Sequence, residues 1–229
     1  MSLKDRPWFP IAYMFTVTTV MCGELIALNG ATRELVKRNE RLFRERAVVA
    51  ALGLAPQVAP AGEIHELYER RIRLVKVNPA GGEEDENIAE FQLLGQDGRS
   101  LAGYGVPIIG RGYWDIIRGI VGVGPDRRTL LGLAFYQQNE TPGLGAEIAA
   151  EPFRSQFVGK LLNTERTPIE FRPPSAPVDE GSVHAITGAT QTSTRLALLM
   201  NEDLRRWLAG AAPTAGAPDG MPKESEAGQ

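Results

Sequence analysis

The sequence of 229 residues contains few of the side chains that make disulfides or transition-metal sites. Cys22 is the only cysteine, which excludes an internal disulfide and a cysteine-based metal cluster. The two histidines, His65 and His184, are too few for a histidine-rich zinc or iron site. We therefore predict no metal ligand, although carboxylates alone leave Mg²⁺ or Ca²⁺ open.

A strong charge and a dinucleotide-binding glycine motif are also missing. The net charge of -3 gives no reason to expect a nucleic-acid partner. No G-x-G-x-x-G follows a predicted strand in a βαβ setting, so the chain is not expected to bind a dinucleotide itself. The hydrophobic fraction of 43% is ordinary for a globular protein, and the length suits one sizeable domain with appendages.

One long apolar run is present, near the N-terminus. No charge occurs from Trp8 to Gly23, which is close to the roughly 20 residues that a bilayer-spanning helix needs. A signal peptide and a buried core helix are the alternatives, but no small-residue cleavage site follows the run. We predict an uncleaved transmembrane anchor over residues 1–30. Glu24 within it suggests a partner in the membrane.

A charged segment follows, with no proline or glycine from Arg33 to Leu52. Residues 31–56 are predicted to form a helical stalk, or alternatively an ordinary solvated helix. More Lys and Arg follow the apolar run than precede it. The positive-inside rule therefore weakly places the next domain in the cytoplasm, but this rule is least reliable for large domains.

Residues 57–209 have the patterns of an α+β domain with a largely antiparallel sheet. Alternating residues predict a strand at 71–77, and two turns flanked by apolar runs predict hairpins at 90–106 and 115–136. Further predictions are a loop at 79–87, helices at 146–162 and 190–208, a short strand at 169–171 and a disordered tail at 210–229.

Small and hydroxyl-bearing residues are concentrated where the last helix is predicted to begin, in the stretch Thr187-Gly188-Ala189-Thr190-Gln191-Thr192. Free backbone N–H groups and the positive end of a helix dipole favour an anion such as a phosphate there. The same residues would make a good helix cap, with Thr187 or Thr190 supplying the oxygen and Gly188 the turn. Local physics favours the cap. A hydrolase using Thr190 or Ser193 has no supporting base and acid.

Two glycine-containing loops complete the candidate site. The segment Glu140-Thr141-Pro142-Gly143-Leu144-Gly145 lets a flat ligand approach the backbone closely. The segment Gly110-Arg111-Gly112-Tyr113-Trp114 offers an aromatic pair for packing against a ring system. Each loop alone is weak evidence for a ligand.

Taken together, these motifs resemble the FMN-binding domain family of bacterial respiratory flavoproteins. Asp179 followed by Thr187–Thr192 resembles the family's flavinylation motif. The segment Glu140–Gly145 and the N-terminal anchor resemble the C-type subunits of Na⁺-translocating NADH:quinone oxidoreductases, whose Gly-Leu-Trp element has Tyr113 in place of leucine here. The G-type subunits of Rnf electron-transport complexes share the threonine motif and anchor, and are the alternative.

The resemblance implies a covalent FMN, joined as a phosphoester to the hydroxyl of Thr190 by a separate flavin transferase that uses FAD and a divalent cation. Gly188 and Ala189 would keep the backbone clear for the phosphate, Thr187 and Thr192 would hydrogen-bond it, and Asp179 would be recognised by the transferase. The isoalloxazine would lie near Trp114 and against the loop residues Glu140, Thr141, Gly143, Leu144 and Gly145.

The resemblance also implies a role and a location. The chain would relay electrons inside a multi-subunit complex, anchored once in the bacterial inner membrane with its flavin domain facing the periplasm. It would not be the NADH-binding subunit. A flavin-free assembly subunit with a degenerate site is a further alternative.

Overall fold

The structure, a computed structural model, describes residues 8–76 and 88–210. The chain divides into two units, residues 1–42 and 43–229. The predicted loop at 79–87 and all but the first residue of the predicted tail at 210–229 lie outside the described residues. The predicted limits of the anchor, the stalk and the flavin domain stay predictions; the structure gives only the helices and strands described below.

Helix α1, Phe9–Ala51, forms the described part of the first unit from Phe9 onward and continues into the second unit. It is long and apolar enough to cross a membrane by length and composition alone, and its most apolar window has a mean hydropathy of 1.7 with no residue buried. Apolar side chains exposed along a helix in this way are what a lipid-facing segment needs. The helix is thus consistent with membrane anchoring.

The second unit is built on a five-stranded antiparallel sheet in which each strand pairs with the next in sequence. A short helix, α2 (Ala61–Arg71), leads into it. The strands are β1 (Ile72–Lys76), β2 (Ile88–Leu94), β3 (Leu101–Arg111), β4 (Ile116–Val123) and β5 (Leu130–Gln137). Both predicted hairpins are confirmed, as are the first strand and the α+β fold class.

The two faces of the sheet are covered by different helices. The end of α1 packs on one face, where the carbonyl of Ala51 lies directly over Gly122 of β4 and Gly132 of β5. These two glycines are paired across the strands, and a Cβ on Gly122 would overlap the Ala51 carbonyl. Residues 43–51, which the sequence analysis assigned to the stalk, therefore contribute to the core of the second unit.

The opposite face carries helix α4, Thr190–Leu208, which confirms the last predicted helix. Its apolar stripe, including Leu196, Met200 and Leu204, is fully buried against the sheet. Trp207 near its end donates from its indole nitrogen to Glu90 of β2 at 2.7 Å. These contacts hold the helix along its length, and this defines where its N-terminus lies.

The helix predicted at 146–162 is wrong in form and extent. The chain makes three short segments there: a 3-10 helix at Gly145–Ala149, helix α3 at Glu151–Arg154 and a 3-10 helix at Ser155–Phe157. Ala150 between the first two is extended, at φ -72° and ψ 148°. Pro152 follows it and has no N–H to continue a helical ladder, which explains the interruption.

Two further elements were not predicted. Helix α2 is short and mostly polar, so its apolar period is weak. Strand β7, Ser182–His184, pairs in parallel with β6, Glu170–Arg172, in a small second sheet. The predicted short strand at 169–171 corresponds to β6, shifted by one residue. Strand β7 has only three residues, too few to show a clear alternation in the sequence.

Asp203 is a buried carboxylate between α4 and the sheet, and it is 4% exposed. Its Oδ2 accepts a hydrogen bond from the N–H of Ile109 at 2.9 Å, on the part of β3 that β2 does not cover. Burial raises the pKa of Asp203 to about 6, against the smaller opposing effect of that hydrogen bond. The ionised form therefore destabilises the folded state.

We expect Asp203→Asn to stabilise the protein at pH 7 and to have little effect near pH 4. The folded state binds a proton more tightly than the unfolded state, so the cost in wild type develops as pH rises through about 4 to 6. At about 1.4 kcal/mol per pKa unit the gain is at most on the order of 3 kcal/mol. Denaturant unfolding of both proteins at the two pH values measures it; a difference that does not change with pH contradicts this account.

Candidate flavin site

Glu140 joins the three motifs that the sequence analysis singled out. Its carboxylate is 4% exposed. Oε2 accepts a hydrogen bond from the Thr192 hydroxyl at 2.6 Å, and Oε1 accepts one from the Trp114 backbone N–H at 3.0 Å. One buried carboxylate thus connects the β3–β4 loop, the loop after β5 and the first turn of α4.

Two glycines make room for this carboxylate. A Cβ on Gly145 would lie 2.5 Å from Oγ1 of Thr192 and 2.9 Å from Oε2 of Glu140. A Cβ on Gly112 would overlap Oε1 of the same glutamate. Both positions require glycine because of this close approach, which is a packing reason beyond the loop flexibility inferred from sequence.

An exposed aromatic surface lies beside the carboxylate. Trp114 is 64% exposed, and its indole nitrogen donates to the Thr141 hydroxyl at 2.8 Å. The Tyr113 ring meets the indole edge-on at a centroid distance of 5.3 Å, and Leu144 is also exposed. An oriented indole that is left open to solvent is suited to receive a planar ligand.

The loop after β5 is held by its own backbone. The N–H groups of Leu144 and Ala146 both donate to the Thr141 carbonyl at 3.1 Å. Gly143, just before Leu144, has φ +72°, a conformation that side chains other than glycine rarely adopt. The loop therefore presents Thr141 and Leu144 in a defined arrangement.

Helix α4 begins without a side-chain cap, which corrects the predicted cap. The N-cap residue is Ala189, which has no hydroxyl and makes no side-chain capping hydrogen bond. Thr190 is already the first helical residue, so its side chain lies past the capping position. Thr187 and Thr190 border the same surface, and Thr190 is exposed. Gly188 has φ +78°, and a Cβ there would touch Leu144 at 3.4 Å.

Asp179 lies in the turn before β7, and its carboxylate bonds to that turn, to the first residue of β7 and to β6. Its Oδ1 accepts hydrogen bonds from the Ser182 hydroxyl at 2.8 Å and from the Gly181 N–H at 3.0 Å, and its Oδ2 pairs with Arg172 at 2.7 Å. The Ser182 hydrogen bond, followed by that of Gly181, holds the pKa of Asp179 below its usual value. Its side chain remains more than half exposed.

The hydrolase alternative gains no support from the geometry. His184 Nδ1 lies 3.4 Å from the Pro173 carbonyl, while the Ser193 hydroxyl accepts from the Ile186 N–H at 3.1 Å. Within the described ranges, no histidine hydrogen-bonds Thr190 or Ser193. Groups of three or more side chains able to hold a metal are also absent from the described part of the chain.

The sequence analysis missed a groove of about 730 Å³ that runs along one side of α4 and is bordered by Thr190. Leu198, 66% exposed, is part of its wall. The one sequence signal for this groove is that Leu198 falls outside the periodic apolar stripe of α4.

Comparison with known proteins agrees with this geometry. Residues 112–204 match the family model of the FMN-binding domain. The C-type subunit of a Na⁺-translocating NADH-quinone reductase from Pasteurella multocida is 34% identical over 125 residues, which cover 53% of this chain and 46% of that protein. The corresponding protein of Yersinia pestis is 35% identical over 217 residues, which cover 77% of this chain and 81% of that protein.

The chain belongs to the family of C-type subunits of Na⁺-translocating NADH-quinone reductases. Its fold agrees with that assignment: the crystal structure of such a protein from Parabacteroides distasonis superposes with a TM-score of 0.61 at 24% identity, covering 76% of this chain and 95% of that one. The predicted resemblance is confirmed, because residues 112–204 match the FMN-binding domain family. The chain spans less than half the length of several relatives that it matches.

We expect Thr192→Val in this member of the family to destabilise the folded state by about 2 to 3 kcal/mol, because it leaves a buried carboxylate oxygen without its donor. Thr194→Val is the matched control: this threonine is exposed two residues further along α4, and its loss should stay within about 0.5 kcal/mol. Denaturant unfolding of both variants measures the difference. Equal effects would show that the Glu140–Thr192 bond is unimportant.

Proposed function

We propose that this chain is an electron-carrying subunit of a membrane NADH:quinone oxidoreductase, with FMN joined through its phosphate to Thr190. The observation that carries the proposal is the arrangement of residues at the start of α4. The exposed Thr190 hydroxyl follows an N-cap residue without a capping side chain, so no side-chain cap competes for the first N–H groups of the helix. Such a terminus attracts a phosphate.

The phosphate would be held mainly by backbone. Gly188 and Ala189 leave the approach to the first turn of α4 clear, and Thr187 can donate its hydroxyl. Thr192 differs from its predicted role, because its hydroxyl already donates to Glu140. Its contribution to a phosphate is therefore its backbone N–H.

The ring would lie on the surface made by Trp114, Thr141 and Leu144. Glu140 and Gly145 are buried, so they cannot contact the ring directly. Their role is to position the surface on which the ring lies. Gly143 acts through the loop conformation. When bound, FMN supplies the electron transfer, while these residues set its orientation and exclude water from one side.

Attachment requires an accessible nucleophile and a partner enzyme. The Thr190 hydroxyl oxygen would form a bond to the flavin-side phosphorus of FAD and lose its proton as AMP departs, on a flavin transferase that supplies FAD and a divalent cation. The Asp179 turn is a recognition element that fits this role, because it is exposed and conformationally fixed. The relatives' names supply the wider assignment to a Na⁺-translocating NADH-quinone reductase.

The complete complex would contain other membrane subunits, one of which binds NADH. We place the flavin domain on the periplasmic side of the bacterial inner membrane, with α1 as its single anchor. The family assignment favours this complex over the Rnf-type one. A flavin-free assembly subunit is the alternative function, and the flavin content separates it from a flavoprotein.

We expect the wild-type chain, co-expressed with a flavin transferase, to give a fluorescent band on a denaturing gel under ultraviolet light. Thr190→Ala should abolish the band, because no hydroxyl remains to form the ester. Thr190→Ser should keep it. Thr194→Ala is the matched control that should also keep it, because this exposed threonine lies outside the stretch Thr187–Thr192. An unlabelled wild-type band in the presence of active transferase would rule out covalent attachment.

Sidedness gives a separate prediction. In intact spheroplasts, added protease should digest residues 43–210, because the proposed orientation exposes them outside the inner membrane. A cytoplasmic marker protein serves as the integrity control. Protection of the domain until the spheroplasts are lysed would contradict the periplasmic location.

A further inference from the structure

The groove along α4 lies on a different side of the helix from Glu140 and Trp114. One wall is α4 itself, with Ala197 and Leu198, and the other is formed by Ile169 and Phe171 at β6. Ile186, before the start of α4, is also part of the lining. At about 730 Å³, with a mainly apolar lining and an open side, the groove has the size and character of a small-molecule site.

The groove begins at the proposed attachment residue. Thr190, Thr187 and Gly188 all line it, so a group carried on the Thr190 hydroxyl reaches it without any movement of α4. A helix rises about 1.5 Å per residue, which puts Leu198 about 12 Å along the axis from Thr190. Arg205, the lining residue nearest the other end of α4, is about 22 Å away on the same basis.

The lining suits a flat ring with polar edges. Asn201 forms part of the wall but is engaged, since it exchanges hydrogen bonds of 2.9 Å with both backbone groups of Ile169. Ser193 accepts from the Ile186 N–H at 3.1 Å, and its own hydroxyl hydrogen can still donate. The groove therefore offers apolar faces along its length and a hydroxyl donor near Thr190.

Leu198 adds a second reason to expect an occupant. It is 66% exposed on a helix whose other leucines are buried or half-buried. An isolated exposed leucine is ordinary, but this one adds to the apolar lining that Phe171 and Ile186 also contribute. A ring in the groove would remove this surface from water.

We propose that the groove is a second position for the ring of an FMN linked to Thr190, alternating with the surface at Trp114. The proposal rests on the proposed function. Thr190 lines the groove, and the surface at Trp114 begins nearby. Gly188, two residues before Thr190, also lines the groove, and a Cβ on it would lie 3.4 Å from Leu144 of that surface. At Trp114 the ring is accessible to a redox partner; in the groove it is sheltered from solvent between electron transfers.

Leu198→Trp tests the position directly, because an indole in contact with a flavin quenches its fluorescence. In flavinylated protein, we expect its emission per covalent flavin to fall about twofold or more below wild type, as contact stacking requires. Glu202→Trp is the matched control, one turn further along α4 at a position that does not line the groove, and it should leave the emission unchanged.

Time-resolved quenching of the wild-type protein by iodide provides the second measurement, independent of any variant. We expect two flavin populations, one of them protected. Absence of in-gel flavin from the wild-type chain overturns the proposed function and this inference with it. A fluorescent wild-type band with a single, fully accessible population, or with equal emission from Leu198→Trp and Glu202→Trp, overturns the groove alone.

Discussion

The buried Glu140 carboxylate is the contact on which the arrangement of the site depends. It accepts hydrogen bonds from the Thr192 hydroxyl and the Trp114 backbone, which belong to segments about 80 residues apart in the chain. A buried carboxylate with two charge-assisted hydrogen bonds is costly to disturb, because losing either donor leaves charge uncompensated away from water. These two hydrogen bonds fix the start of α4 relative to the aromatic surface. They therefore also fix the distance from Thr190 to Trp114 that a flavin attached to Thr190 would have to span.

The sheet and the last helix could be predicted from sequence because their signals are local. Asp-Gly and Pro-Asp turns between apolar runs identified both hairpins, and the period of Leu196, Met200 and Leu204 identified α4. Pro152 is a local signal for the break at Ala150, but the apolar pattern around it led to the prediction of one continuous helix.

The wrong predictions at the site have a different cause, because the roles of these residues depend on contacts between distant segments. A hydroxyl in a Thr-Gly-Ala-Thr stretch predicts a cap on local grounds, yet Ala189 occupies that position and Thr192 turns inward to Glu140. Gly112 and Gly145 were interpreted as loop residues, but each is required by a close approach from a distant segment: Glu140 at Gly112, and Thr192 together with Glu140 at Gly145. The motifs identified the segments that meet in space. Which residue of each segment is buried and which is exposed could be learned only from the three-dimensional structure.

The central claim is that Thr190, among the several threonines at the start of α4, carries the flavin. Mass spectrometry of the tryptic peptide 167–195 from transferase-co-expressing cells tests it most directly, with fragmentation that preserves phosphoesters. The account predicts an added mass of FMN less water, located on Thr190. The unmodified peptide alone, or a flavin located on Thr187 or Thr192, would contradict it.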